Sequence, residues 1–255
     1  AQDHDFKLRL ENDRTDEIGA LTDSFNCMLD RINTLVNQVY QQELAQKNAE
    51  IEALQAQINP HFLYNTLDSV NWMLIARGEM DISAVVVALG KLMQYSMDTA
   101  RAMVSLEEEY RNVRDYLMIQ KNRLEDRLEF TLELDEPLKC FPVPKLILQP
   151  LVENAIKYGI EPSLQLGHIL VRTRKTDDDI QILVKDNGCG MDEAQLTFYR
   201  RLLRNDPSGQ TNIGVRNVAR RLQLHFGGRC GFDVSSRPGD GLSITIRIPV
   251  QEEQP

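Results

Sequence analysis

The chain has 255 residues, of which 42% are hydrophobic and 26% charged, with a formal net charge of −9. Those proportions fit an ordinary soluble protein of one or two domains, and the acidic balance argues against non-specific binding to nucleic acid or an anionic membrane surface. No apolar run approaches the roughly 20 residues that span a bilayer, and no signal peptide is visible. Cys27, Cys140, Cys189 and Cys230 lie far apart with no C-x-x-C pair, so neither a zinc site nor a disulfide framework is indicated, and a reducing compartment is the simplest reading. The sequence opens without methionine, in mid-charged stretch, as a piece cut from something longer would.

Residues 16–126 are almost all helix-compatible, rich in Leu, Gln, Glu, Ala and Arg. The pattern breaks at "QINPHFLYNTLDSV" (57–70), because Pro60 has no N–H to donate and its ring crowds the preceding turn. On a helical projection Ile51, Leu54 and Ile58 form one apolar stripe before Pro60. Leu63, Leu67, Val70 and Leu74 form another after it, roughly 140° away at 100° per residue. His61, Asn65 and Asp68 fall opposite the second stripe, so His61 is expected to point away from the core. The plainer alternative makes Pro60 the first residue of a new helix with Asn59 as its cap, and His61 an incidental surface residue.

Further on, "ARGEMD" (76–81) reads as a turn, with Gly78 ending one helix and Asp81 capping the next. "SLEE" (105–108) is a capping box, Ser105 with Glu108, opening a helix to about Leu124. The first half is therefore expected to be a helical hairpin with a helical extension at its front. From residue 128 the period changes to that of strands: "LEFTLEL" (128–134), "HILVRTR" (168–174), "IQILVKD" (180–186), "GFDVSS" (231–236) and "LSITIRIP" (242–249). "VPKLILQPLVENAIKYG" (143–159) reads as a helix with Pro144 near its start and Gly159 as its stop, and "GVRNVARRLQLHF" (214–226) as another. Strands separated by helices make the fold class α+β: a helical part followed by an α/β sandwich of about 125 residues.

Several segments of the second half carry chemistry. "VKDNGCGM" (184–191) sets Asp186 at a strand end before Gly188 and Gly190. Glycines permit positive φ and close backbone approach, and a strand-end carboxylate can accept from an adenine amino group. Glu153, Asn154 and Lys157 on one helix supply a carboxylate, an amide and an ammonium, a set suited to a Mg²⁺–phosphate group. "NIGVRNVARRL" (212–222) starts a helix behind Gly214, and helix N-termini favour phosphates. "RPGDGLSITI" (237–246) brings Gly239 and Gly241 into a turn before a strand. Taken singly, each of these fits a structural turn or a solvated helix as well.

In this order and spacing they resemble the ATP-binding domain shared by histidine kinases, gyrase-type ATPases and heat-shock chaperone ATPases. Asn154 matches the asparagine motif, Asp186, Gly188 and Gly190 the first glycine motif, Gly214 the second, and Gly239 with Gly241 the third. No G-x-x-x-x-G-K-[ST] is present, so a P-loop is not the phosphate cradle. With "NPHFLYN" added, residues 40–250 resemble the YesM/LytS-type sensor histidine kinases, whose mark is a P-H-F-x-x-N phosphoacceptor helix. "DEIGALTDSFNCMLDRINTLV" (16–36) resembles the end of a HAMP signalling module.

The resemblance implies three regions: a partial HAMP-like segment and linker helix at 1–39, a dimerisation and phosphotransfer hairpin at 40–126, and an ATP-binding domain at 127–255. It further implies a homodimeric four-helix bundle, a response regulator protein as partner, and the cytoplasmic part of a membrane receptor whose upstream portion is missing. His61 would take the γ-phosphoryl group of ATP and pass it to an aspartate of the regulator, with Asn154 holding Mg²⁺, Asp186 reading adenine and Lys157 facing phosphate. Many histidine kinases carry an acid directly after the histidine. That position is Phe62 here, so Glu153 is the expected base. Asn65 stands where related kinases place the amide that orients water for dephosphorylating the regulator, an assignment under which its loss spares autophosphorylation. Where the family shows G-I-G this chain has Asn212-Ile213-Gly214, and Asn tolerates left-handed backbone better than most residues. His4, His168 and His225 match no motif and are expected to be structural or solvated. Two readings compete: an ATPase or protein serine kinase of the same superfamily, which leaves His61 unlabelled, and a non-catalytic dimerising module that binds no nucleotide.

Overall fold

The structure, a computed structural model, describes residues 16–56, 60–98, 101–176, 179–203 and 213–249. It divides into two units, residues 1–59 and 60–255. The expected cap Asn59, the apolar residue Ile58 and the turn residue Asn212 lie outside the described residues, as does His4. The described part of the first unit is one helix, α1 (Glu17–Ala56). Along it Ile18, Leu21, Met28, Ile32, Leu35 and Val39 are exposed. With half-buried Phe25 they alternate three and four residues apart, the seam spacing of a coiled coil. No described helix is long and apolar enough to cross a membrane.

The second unit opens with α2 (Pro60–Ala76) and α3 (Met80–Met97), packed on each other. Pro60 is the first residue of α2, where a missing N–H costs nothing. Leu63, Leu67, Val70 and Leu74 are half-buried, whereas His61, Asn65 and Asp68 are exposed, as the projection of the apolar stripe predicts. Gly78 ends α2 at φ +77. Its N–H donates to Ile75 O and that of Glu79 to Leu74 O, both at 3.0 Å, the paired bonds of a Schellman stop. Asp81 is not the cap of α3. The N-cap is Glu79, which makes no side-chain cap bond, and Asp81 lies in the first turn, where its charge still favours the positive end of the helix dipole.

The remainder is built on a five-stranded sheet: β2 (Leu128–Leu134), β4 (Gly167–Lys175), β5 (Asp179–Asp186), β6 (Gly231–Arg237) and β7 (Gly241–Pro249), in the order β2-β4-β5-β7-β6. Only β2 and β4 are parallel. Alternation puts Leu132, Val171, Val184, Ile244 and Val234 in one row across all five strands, all facing one helical layer. That layer consists of α4 (Leu106–Leu124), α5 (Gln149–Asn154), α6 (Glu193–Leu203) and α7 (Ile213–Phe226). Leu106, Tyr110, Val113 and Leu117 of α4 are buried in the same core as the sheet, so α4 packs as part of the sandwich. Its capping box is present, with Glu108 N–H on Ser105 Oγ at 3.2 Å and Ser105 N–H on Glu108 Oε2 at 3.0 Å.

The helix expected at 143–159 is shorter and displaced. Pro142–Pro144 form β3, paired with β1 (Met103–Ser105). The proline in the first helical turn is Pro150, and the helix runs past Gly159 as a π-helical turn, Ala155–Ile160. Proline suits the rim of a two-stranded ribbon as well as a helix start, and the sequence does not rank the two prolines. Also unanticipated is α6, whose buried Leu196, Tyr199 and Leu203 recur at helical spacing.

Between β3 and α5 the chain reverses at Leu146, which has φ +60. A left-handed leucine costs about 1–2 kcal/mol. The compensation is Glu109 of α4, fully buried, whose carboxylate accepts from Leu146 N–H at 2.6 Å and from Ile147 and Leu148 N–H at 2.9 Å each. Tyr95 of α3 donates its hydroxyl to the same carboxylate. Burial pushes the Glu109 pKa up, opposed by these four donors. Glu109→Ala orphans three buried N–H groups and should lower unfolding free energy on the order of 3–5 kcal/mol, read as an earlier urea midpoint. Glu109→Gln keeps an acceptor oxygen and should lose less. An alanine variant within about 1 kcal/mol of wild type would show that the carboxylate does not hold this segment.

Candidate functional site

Three backbone segments converge at the end of β5. The loop after Asp186 is pinned by Cys189 N–H on Gly159 O at 3.0 Å and by Gly239 N–H on Cys189 O at 2.7 Å. Ser236 Oγ ties the same loop to the β6–β7 turn, accepting from Met191 N–H at 2.9 Å and donating to Gly241 O at 2.6 Å. Such approach needs residues without a Cβ. One added at Gly188 would stand 2.2 Å from the backbone of Gly159, and one at Gly190, where φ is +66, would stand 1.9 Å from Arg237 O. At Gly241, with φ +81, it would meet Asp186 O at 2.1 Å. Gly239 differs: its φ of +83 demands glycine, but the space around it is open. Gly214, near the start of α7, packs beside Pro150 of α5, with room for a Cβ only at 3.3 Å.

Asp186 sits beneath these turns, 3% exposed. Its Oδ1 accepts from Gly188 N–H at 2.9 Å and Leu242 N–H at 3.3 Å, and no described protein donor reaches Oδ2. Burial raises its pKa above the usual carboxylate range, partly countered by those two N–H groups. It is part of the wall of a cavity of about 280 Å³ that Asn154, Tyr158, Gly159, Gly190, Met191, Gln195, Phe198, Tyr199 and Leu242 complete. The wall is mostly apolar, with a carboxylate acceptor on it, as suits a planar heterocycle carrying an exocyclic amine. The hydroxyl of Tyr199 is buried without a partner. Burial and the Asp186 charge both raise its pKa.

The helix carrying Glu153, Asn154 and Lys157 supplies one of the three to this cavity. Asn154 donates Nδ2–H to Pro150 O at 2.9 Å, leaving Oδ1 for a ligand. Glu153 is exposed and accepts from Gln149 Nε2 at 2.7 Å. Lys157 is exposed, with Nζ 5.1 Å above the Tyr158 ring. Neither of these two lines the cavity, and nor does His61. His61 stands exposed on α2 with Asn65 Nδ2 at 3.3 Å from its Nδ1. His168 bonds Thr131 through Nε2 at 3.0 Å, and His225 is exposed.

Sequence reasoning missed most of the cavity wall. Gly159 was read as a helix stop, yet its Cβ would fall 2.8 Å from Asp186 Oδ1, so its glycine serves the acid rather than the helix end. Tyr158, Met191, Gln195, Phe198 and Tyr199 also went unnamed. The available signal was the amphipathic spacing of residues 193–203 directly after a glycine turn.

Comparisons with known proteins agree in chain order. The HAMP domain family matches residues 1–34, the histidine kinase family 49–128, and the "Histidine kinase-, DNA gyrase B-, and HSP90-like ATPase" family 143–252. The chain is 41% identical to the sensor histidine kinase YesM of Bacillus subtilis over 96% of its length, covering 41% of that protein. It is 30% identical to an uncharacterized sensor-like histidine kinase of Staphylococcus epidermidis over 85% of its length and 42% of the relative's. A solved histidine kinase domain from Erythrobacter litoralis EL346 superposes with a TM-score of 0.44 at 18% identity, over 74% of this chain and 95% of that one. The chain thus spans about two-fifths of the length of these curated relatives. Carrying the HAMP, histidine kinase and gyrase-like ATPase segments in that order, it belongs to the sensor histidine kinases.

Proposed function

We propose that the chain is the kinase portion of a two-component sensor, in which His61 is phosphorylated from ATP and the phosphoryl group then passes to an aspartate of a response regulator. The observation that carries this reading is the pairing of an exposed imidazole on α2 with a cavity whose wall bears the buried carboxylate of Asp186 with one oxygen to spare. In this reading Asp186 accepts from the adenine amino group, and the turns at Gly188, Gly190, Gly239 and Gly241, with Gly214 at the start of α7, leave room for the nucleotide. Asn154 Oδ1 is the protein ligand of Mg²⁺. A single carboxamide oxygen suits that ion, which takes few protein ligands and fills its shell with phosphate and water; bound there, it would neutralise charge on the transferring group. Lys157 faces the phosphates, and Glu153 is the base that receives the imidazole proton once the domains close. Asn65 orients water for dephosphorylating the regulator.

The apolar seam of α1 and the exposed Phe62, Trp72 and Met73 of α2 support a homodimer whose paired hairpins form a four-helix bundle. We place a HAMP-like segment and linker at 1–39 and the phosphotransfer hairpin from residue 40. Because α4 shares the core of the sheet, the ATP-binding domain is better begun ahead of β1 than at residue 127. A HAMP segment at the front supports a membrane receptor upstream, with this chain on its cytoplasmic side.

With γ-labelled ATP and Mg²⁺, wild type should acquire an acid-labile label that His61→Gln lacks. Label on a hydroxyl, or none in wild type, overturns the reading. Asp186→Asn should bind ATP at least about 100-fold more weakly, because Asn keeps Oδ1 for the two backbone donors and turns an N–H toward the adenine amine. The fold should not suffer. A carboxyl whose pKa is raised on folding loses stability as pH climbs through the window above its unfolded value, so at pH 7 the amide should melt no lower than wild type. An early melt would assign Asp186 to structure instead.

A further inference from the structure

We infer that Asn65 is a positioning residue for autophosphorylation: its amide oxygen accepts from Nδ1–H of His61, fixing the tautomer that leaves the Nε2 lone pair free to attack ATP. The inference rests on the reading that His61 is the phosphoacceptor, and it deepens that reading.

A neutral imidazole carries one N–H and one lone pair, and only the nitrogen with the lone pair can attack phosphorus. Which nitrogen that is depends on the partner held by the other. Asn65 is one helical turn below His61, and the end of its amide placed as Nδ2 stands 3.3 Å from Nδ1. The two ends of an amide have the same shape, so either can face the ring. If Nδ2–H faced Nδ1, it would cap the Nδ1 lone pair and force the proton onto Nε2, leaving both nitrogens unable to attack. With Oδ1 facing Nδ1–H, Nε2 is bare on an exposed ring. Chemistry requires the second arrangement and the reaction reinforces it. As the Nε2–P bond forms and the bond from Pγ to the bridging oxygen breaks, that oxygen's electron pair leaves on ADP. The ring becomes an imidazolium whose positive charge falls partly on Nδ1–H, and a neutral hydrogen bond becomes charge-assisted. The Nδ1 proton is lost to solvent or base afterwards.

Nothing else beside His61 in its own helix supplies this acceptor. The following residue is Phe62, and Glu153 stands on α5 rather than beside the ring on α2. Asn65 is exposed, so its replacement should leave the fold intact, which melting curves verify. It is absent from the cavity wall, so KM for ATP should not move.

The decisive comparison is Asn65→Ala against Asn65→Asp in the full 255-residue chain, following the initial rate of His61 labelling from γ-labelled ATP and the phosphohistidine isomer by phosphorus NMR. Alanine removes the acceptor and should slow labelling at least about tenfold. Aspartate can only accept, so it should hold the rate within about threefold of wild type or exceed it. Wild type should carry phosphate on Nε2. Labelling of the alanine variant at the wild-type rate, as water orientation for the regulator alone would give, overturns the inference while leaving His61 as the acceptor. So does an aspartate variant as slow as alanine, or phosphate on Nδ1 in wild type. An unlabelled His61 in wild type removes the reading beneath and the inference with it.

Discussion

The carboxylate of Glu109 meets three successive backbone N–H groups, those of Leu146, Ile147 and Leu148, at 2.6–2.9 Å inside the helical layer. Consecutive N–H groups around a left-handed residue make a concave site for an anion, and here the anion is the protein's own. The arrangement fixes where α5 begins, and therefore where Asn154 and Gly159 stand relative to the end of β5. It also reaches the hairpin, since Tyr95 of α3 donates to the same carboxylate. Buried Lys145, 4.6 Å above the Tyr95 ring, donates to the carbonyl of Asp98 just beyond α3. One acid thus links the end of the hairpin, the first helix of the sandwich and the helix bearing Asn154.

Around Asp186 the constraint is steric. Gly188 lies against the backbone of Gly159, Gly190 against that of Arg237, and Gly241 against that of Asp186. Backbone cannot yield as a flexible side chain does, so the approach is set by the absence of Cβ atoms. The buried carboxylate is held by two backbone donors on one oxygen, which orients the other. A desolvated charge is costly when its hydrogen bonding is incomplete, so the cavity favours a ligand that can donate to Asp186.

What was legible in the sequence divides along physical lines. Strands read well because alternation is a strong signal: 128–134 was expected and Leu128–Leu134 is found. The glycine turns read well because several glycines stand beside a strand-end acid. Prolines read poorly. Pro60 does open a helix, but Pro144 sits in a ribbon strand while Pro150 takes the helix start, and residue type alone leaves both open. Asp81 looked like a cap, yet the Schellman stop at Gly78 consumes the linking residues so quickly that Glu79 takes that position. Glu109 was invisible for a deeper reason. An acid in an acidic helix start reads as surface charge, and its burial follows from a turn nearly forty residues away in the chain.

The two halves of the proposed reaction rest on unequal foundations. The cavity is walled by residues whose backbones touch, on a sheet whose row Val171, Val184, Ile244 and Val234 is buried. In α3, by contrast, only Ser83, Ala88 and Leu92 are buried, and α2 leaves Phe62, Trp72 and Met73 exposed. Elements with few buried apolar contacts open and shift at low free-energy cost, whereas densely packed ones do not. In the proposed reaction, the nucleotide pocket is therefore the part expected to keep its shape as imidazole and nucleotide come together. An exposed histidine beside a single neighbouring amide fits the proposed reaction, since the ring's orientation is then set within its own helix.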